Sequence, residues 1–364
     1  MARVLLLLAL LVPVAHAQRA TVSGTVLDAA TGEPLPGASV YLTGTTAGDA
    51  TDSRGDYSFE TAIQGDVIVT ASMVGYSAQE RSLRIRDGGT VEASFRLSPS
   101  TVALEDVTVQ QTAEQRAADR EWRNQLARFR FLFLGRTRVA RETQIANPAV
   151  LTFSESNGRL FAQAESRLRT VSPRLGYNVL WDNLSLAGSE ARRTWSGSNQ
   201  FVVMSGTEDQ ERGWERAREA AYRGSFRHFM DALRTSSVED SRFEVFPVDR
   251  PGLIPRFATA LEGETIATSM EPRAGRIWLV MYHDERADRA GRIELQRNVD
   301  WAQMGSGRSQ WSWVEIGPRG FVFGPDGRLE NPLDHVLRGY WDYERAAELL
   351  PADYVPPRDL MPSG

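Results

Sequence analysis

At 364 residues, 41% of them hydrophobic, the chain is long enough for two globular domains. A formal charge of −5 argues against a general nucleic-acid binder, which needs a basic face to neutralise phosphates. The absence of cysteine excludes disulfides, thiol catalysis and the lipidated cysteine of a bacterial lipoprotein, while every strong base is arginine, a usage that GC-rich coding explains better than dense bidentate anion binding.

Met1-Ala2-Arg3 precedes an apolar run from Val4 to Val14 and then Ala15-His16-Ala17. A positive start, a short apolar core and a small-x-small site read as a secretory signal over residues 1–17, cleaved before Gln18. No later stretch reaches the roughly eighteen apolar residues of a spanning helix, so the mature chain is expected to have no transmembrane span. The expected location is the periplasm or the periplasmic side of the outer membrane, with secretion the lesser alternative.

Residues 18–109 read as short strands with regular turn signals. The β-branched run at Val22, Thr25, Val26 and Leu27 stops at Asp28, before Ala30-Thr31-Gly32-Glu33-Pro34-Leu35-Pro36-Gly37, where glycine and proline interrupt strand pairing. Further strands fit Ser39 to Leu42, Val67 to Met73, Ser82 to Ile85 and Val91 to Leu97. Between them, Thr51-Asp52-Ser53-Arg54-Gly55-Asp56-Tyr57-Ser58-Phe59 is a tight turn entering a strand, with Tyr57 and Phe59 on one side. The spacing predicts an all-β sandwich of about seven strands. Asp49, Asp52 and Asp56 could hold calcium, but they lack an EF-hand pattern, and turn capping is the expected role.

The succession Gly24 to Val40, Thr51 to Phe59 and Gly75-Tyr76 resembles the carboxypeptidase regulatory-like domain, which implies a prealbumin-like fold. The resemblance implies an N-terminal module of an envelope protein, as in TonB-dependent receptors of Bacteroidetes-type bacteria. It does not imply peptidase activity.

Beyond Ser98-Pro99-Ser100, Val102 to Val109 is expected as a final strand, loosely similar to the segment before a receptor plug. The roughly 255 residues that remain are too few for a large barrel. Thr112 to Leu134 predicts a helix, with Trp122, Leu126, Phe129 and Phe133 at three- and four-residue spacing. Val150 to Phe153 and Arg159 to Ala162 flank Asn157-Gly158, a hairpin signal. Strands are expected at Leu175 to Trp181 and Gln200 to Met204, and a single helix at Asp209 to Leu233. Phe243 to Val248, Arg276 to Tyr282, Gly291 to Leu295 and Trp311 to Ile316 follow as strands, and Tyr343 to Leu350 as a short helix. Residues 110–350 therefore read as an α+β domain of antiparallel strands with two longer helices, and 351–364 as an extended Pro-rich tail.

Several motifs here resemble the second half of poorly characterised envelope proteins: Leu175-Gly176-Tyr177, Trp214 to Arg218, Ala221 to Ser225, Arg227-His228-Phe229, Gly339-Tyr340-Trp341 and Leu349 to Tyr354. That resemblance carries no activity with it.

Residue chemistry narrows the field. His16 falls in the signal, and His228, His283 and His335 lack zinc-ligand spacing, so no metal-binding residue is assigned. His228, beside Phe226 and Phe229, reads as a packing residue. No G-x-S-x-G, P-loop or G-x-G-x-x-G occurs; Gly305-Ser306-Gly307 reads as a loop. No catalytic residue and no cofactor are assigned. Trp181, Trp195, Trp278, Trp301, Trp311, Trp313 and Trp341 could stack sugars, but an aromatic-rich core is the expected account. Arg216, Arg218, Arg223 and Arg227 read as a solvated helix face. The function expected is that of a non-catalytic exported envelope protein: a docking or spacer sandwich joined to a domain that engages a protein or glycan at the outer membrane. A periplasmic hydrolase with a glycosidase-like carboxylate pair is the alternative.

Overall fold

A computed structural model describes residues 19–86, 88–100, 113–190, 192–235, 237–238, 240–248, 277–283, 310–323, 329, 334–357 and 360. The expected signal over residues 1–17, the expected strands at Val102 to Val109 and Gly291 to Leu295, Trp301 and Gly305-Ser306-Gly307 lie outside the described residues.

The first domain is a two-sheet sandwich of eight strands: β1 (Ala20–Asp28), β2 (Ser39–Leu42), β3 (Gly48–Ala50), β4 (Asp56–Thr61), β5 (Gly65–Ser72), β6 (Gln79–Ile85), β7 (Thr90–Glu92) and β8 (Phe95–Leu97). In one sheet β1 runs antiparallel to β4 and parallel to β7 and β8; the other has the order β3-β2-β5-β6. Val22, Val26, Val40, Leu42, Phe59, Val69, Phe95 and Leu97 fill the space between them. The strand expected over Val91 to Leu97 is two strands in one unbroken register, Val22↔Val91 and Val26↔Phe95, with the ladder interrupted at Ala93 and Ser94, where the Thr25 amide donates to the Ser94 hydroxyl at 3.2 Å. Turn chemistry behaves as read: Asp52 accepts from the Arg54 and Asp56 amides at 2.8 and 3.0 Å, and Gly55 adopts φ +78.

Helix α1 (Ala113–Leu134) follows, then α2 (Arg138–Glu142) and a six-stranded antiparallel sheet. Its strands are β9 (Gln144–Ile145), β10 (Leu151–Ser156), β11 (Arg159–Ala164), β12 (Leu168–Ser172), β13 (Tyr177–Gly188) and β14 (Arg193–Val203). β10 and β11 form the expected hairpin; Asn157 and Gly158 take φ +50 and +70, the double left-handed turn that matches strand twist. Phe129 and Phe133 of α1 pack on the sheet, with Phe133 edge-on to Trp181 at 4.9 Å. β13 runs well past Trp181. A bulge at Asn183, φ +53, resets its parity, so Trp181 and Leu184 both face the α1 side. Asp182 leaves on the opposite face, toward the first domain.

The long helix expected at Asp209 to Leu233 is two helices, α3 (Glu208–Tyr222) and α4 (Phe226–Arg234). Gly224 at φ +69 breaks the helix, and Ser225 caps α4 by accepting from the His228 amide at 3.2 Å. A last antiparallel sheet has the order β15-β16-β17-β18, from β15 (Phe243–Val248), β16 (Ile277–Tyr282), β17 (Gln310–Glu315) and β18 (Val336–Gly339). Phe229 of α4 and Trp341 of α5 (Tyr340–Tyr343) pack on it with Phe243, Trp278, Val280 and Val314. The short helix expected at Tyr343 to Leu350 is instead α5 followed by a 3₁₀ turn, Ala346–Glu348. Among the described residues no helix is long and apolar enough to cross a membrane. The architecture is thus a β-sandwich followed by an α+β assembly of antiparallel strands and few helices.

Candidate functional site at the domain junction

The two domains meet at Asp182, which is only 2% exposed. Its carboxylate accepts from the Tyr41 hydroxyl at 2.6 Å and the Ser72 hydroxyl at 2.8 Å, both from the sandwich. Arg167 completes the shell, donating from Nε at 3.1 and 3.2 Å and from Nη2 at 2.8 Å. A buried carboxylate is tolerated only when paired and hydrogen-bonded, and this one has both forms of support. Burial, and then the Asp182 charge, push the Tyr41 phenol far above its ordinary range. Although burial works against the Arg167 charge, Asp182 outweighs it and raises the guanidinium pKa. Around this hub, Ser198 donates to Glu80 at 2.6 Å and Ser39 to Gln200 at 3.1 Å.

Beside the hub, the turn between β2 and β3 lies along β14. Gly44 N–H donates to the Asn199 carbonyl at 2.6 Å, and Phe201 N–H to the Thr45 carbonyl at 2.9 Å. The C-terminal segment then crosses this turn. Ala352 N–H donates to the Gly44 carbonyl at 2.7 Å, and Thr46 N–H to the Asp353 carboxylate at 3.0 and 3.1 Å. The segment turns at Ala352-Asp353, where Tyr354 N–H donates to the Pro351 carbonyl at 2.9 Å, and it is tied to both domains.

The motifs singled out in the sequence pack on one another. Arg218 donates to the Leu175 carbonyl at 2.8 Å and the Gly176 carbonyl at 3.3 Å, with its guanidinium 4.1 Å from the Tyr177 ring centre. Gly176, at φ +68, lies so close to Trp214 that a Cβ there would stand 2.3 Å from the indole. Arg227 donates to the Pro351, Ala352 and Tyr354 carbonyls at 2.7, 3.2 and 2.8 Å. Trp341 Nε1 donates to the Gly224 carbonyl at 2.7 Å. The arginine set is therefore not a solvated face throughout: Arg216 is exposed and Arg223 pairs with Glu219, but Arg218 and Arg227 are half-buried and bind backbone carbonyls.

The other candidates lie apart. His228 is buried between Tyr222, Phe243 and Tyr282, and its Nδ1 accepts from Gly224 N–H at 3.2 Å. Burial, and then Arg223, lower its pKa to about 4. His283 faces Glu244 at 3.2 Å, and His335 accepts from Gly317 N–H at 3.2 Å. Asp52 and Asp56 are bridged by Arg54 at 3.3 and 3.0 Å, while Asp49 accepts from the Ala50 and Ser58 amides at 2.8 and 3.1 Å, so all three serve the turn. Trp181, Trp278, Trp311, Trp313 and Trp341 are buried, and Trp195 packs edge-on to Trp181 at 5.5 Å. Among the described residues no group of histidine, aspartate and glutamate could hold a metal ion. Sequence reasoning missed Tyr41, Arg167, Asp182 and Asp353; a charged Asp182 directly after the apolar strand ending in Trp181 was the available signal.

Residues 22–109 match the family model of the CarboxypepD_reg-like domain. The chain is 47% identical over 95 residues to the TonB-dependent receptor SusC of Bacteroides thetaiotaomicron, which covers 26% of this chain and 9% of the receptor. It is 30% identical over 110 residues to bacillopeptidase F of Bacillus subtilis, covering 29% of this chain and 8% of that protein. The chain thus spans no more than 9% of the length of either curated relative. Similar solved structures include a type II cohesin–X-dockerin complex from Acetivibrio cellulolyticus, at 20% identity over 25% of this chain and 64% of that one, TM-score 0.20. A putative carbohydrate binding protein from Bacteroides uniformis is 11% identical over 51% of this chain and 99% of that one, TM-score 0.19. On its family match and its two-sheet architecture, the segment from residue 22 to 109 is a CarboxypepD_reg-like domain.

Proposed function

We propose that this protein is an exported, non-catalytic component of the cell envelope, in which the regulatory-like sandwich and the α+β part act as one docking unit for a protein or glycan at the outer membrane. The observation that carries the reading is the Asp182 hub. A sandwich anchored through Tyr41 and Ser72 to a buried carboxylate is built to hold a fixed orientation rather than to hang on a linker. The similarity to part of a TonB-dependent receptor supports an envelope setting.

In-cell cross-linking of the tagged protein, followed by mass spectrometry of the outer-membrane fraction, tests this reading. One envelope partner recovered at near-equal abundance is the expected result. Free protein in periplasmic fluid, with no partner, would overturn it.

A further inference from the structure

The Leu349 to Tyr354 motif has no role in the docking reading, yet its surroundings have the chemistry of a peptide-binding cleft. One wall is Arg227 of α4, whose fork meets three successive-region carbonyls, those of Pro351, Ala352 and Tyr354. The opposite wall is the β2–β3 turn, where the Gly44 carbonyl accepts from Ala352 N–H and the Thr46 amide and hydroxyl both donate to Asp353. Tyr222 closes one end, with its ring centre 6.2 Å from that of Tyr354. Recognition therefore falls on backbone groups, one carboxylate and one aromatic ring of a segment that turns on itself, with Tyr354 N–H donating to the Pro351 carbonyl at 2.9 Å.

The bound segment is lightly held in apolar terms. It pairs with no strand, Pro351 is its one buried residue, Ala352 touches the sandwich core but is, like Asp353 and Tyr354, only half-buried, and Val355 beyond them is 70% exposed. Segments with few buried apolar contacts and accessible hydrogen bonds open at low free energy, without global unfolding.

We propose that the space between Arg227, Tyr222 and the β2–β3 turn is a peptide-binding site, occupied in this chain by its own residues Pro351 to Tyr354, which release and rebind as a strap. The strap touches the sandwich at Gly44 and Thr46 and the α+β part at Arg227, so its release loosens one side of the junction while the Asp182 hub stays closed.

The test uses the full chain. By hydrogen exchange, the amides of Thr46 and Ala352 should exchange faster than those of β2 and β13. A chain carrying Asp353→Ala and Tyr354→Ala should bind a synthetic peptide of residues 349–356, blocked at both ends, about tenfold more tightly than the wild type, whose own segment competes for the cleft. Adding Arg227→Gln should abolish that binding while leaving the circular dichroism spectrum unchanged. If the double variant does not fold, Asp353→Asn in the full chain serves in its place, with faster exchange at Thr46 as the expected result. Strap amides as slow as those of β13, equal peptide binding by wild type and variant, or no binding by either, would make the segment a fixed part of the fold and overturn the proposal.

Discussion

The hydroxyl of Tyr41 stands 2.6 Å from Oδ2 of Asp182, across the boundary between the regulatory-like sandwich and the sheet that follows it. Removing the hydroxyl by Tyr41→Phe takes one donor from a buried carboxylate and should cost about 1–3 kcal/mol. Asp182→Ala leaves the half-buried Arg167 without its counter-charge and should cost about 3–5 kcal/mol. The two losses share one interaction, so the double variant should lose less than their sum. Urea denaturation checks all three; an unchanged midpoint for Asp182→Ala would remove the hub from the account of stability.

Acid should weaken the α+β part through His228. Its folded pKa of about 4 lies below the ordinary 6.5, so between these values the unfolded chain binds the extra proton. Stability from this group is complete above pH 6.5 and falls as the pH drops toward 4, by about 3 kcal/mol in all. Thermal melts at pH 7 and pH 4.5 should differ, and the difference should shrink in His228→Gln. A variant with the wild-type pH dependence would assign acid sensitivity elsewhere.

Gly176→Ala tests the packing of the sequence motifs against one another. The new Cβ would stand 2.3 Å from the Trp214 ring, at a φ of +68 that alanine adopts at a cost of about 1–2 kcal/mol before any clash. A loss above about 2 kcal/mol is expected, since overpacking adds to that strain. Because Trp214 must move, the Trp214 component of the fluorescence, isolated by difference against Trp214→Phe, should change.

Ser225→Ala addresses the break between α3 and α4. Loss of the cap on the His228 amide should cost about 1 kcal/mol, and Ser225→Asp should restore most of it. Equal stability of the alanine and aspartate variants would show that Gly224 alone sets the break.

Much of the sandwich was legible because its turns are written in glycine, proline and aspartate and its strands alternate cleanly. The Asn157-Gly158 hairpin was legible for the same reason. The helix break was hidden because Trp214, Ala217, Ala221, Phe226, Phe229 and Leu233 approximate one apolar stripe, although the five-residue step from Ala221 to Phe226 across Gly224 departs from helical spacing. β12 was hidden because its inward positions include Thr170 and Ser172, which carry no apolar signal. β13 was cut short at Trp181 because Asp182-Asn183 has the polarity of a turn, whereas it is a bulge. The junction was beyond local reading: Tyr41 and Asp182 are 141 positions apart, and Thr46 and Asp353 are 307. No periodicity connects residues at such separations; only the fold does.

The β2–β3 turn laid along β14 bears on how the protein can be dissected. An α+β part produced alone would expose the backbone groups of Asn199 and Phe201 that now bond Gly44 and Thr45, next to Val202 and Val203, which are already 39% and 53% exposed. Open edges of that kind pair with their own kind. The sandwich is, in this sense, a built-in cover for that edge, and the α+β part cut free of it should self-associate.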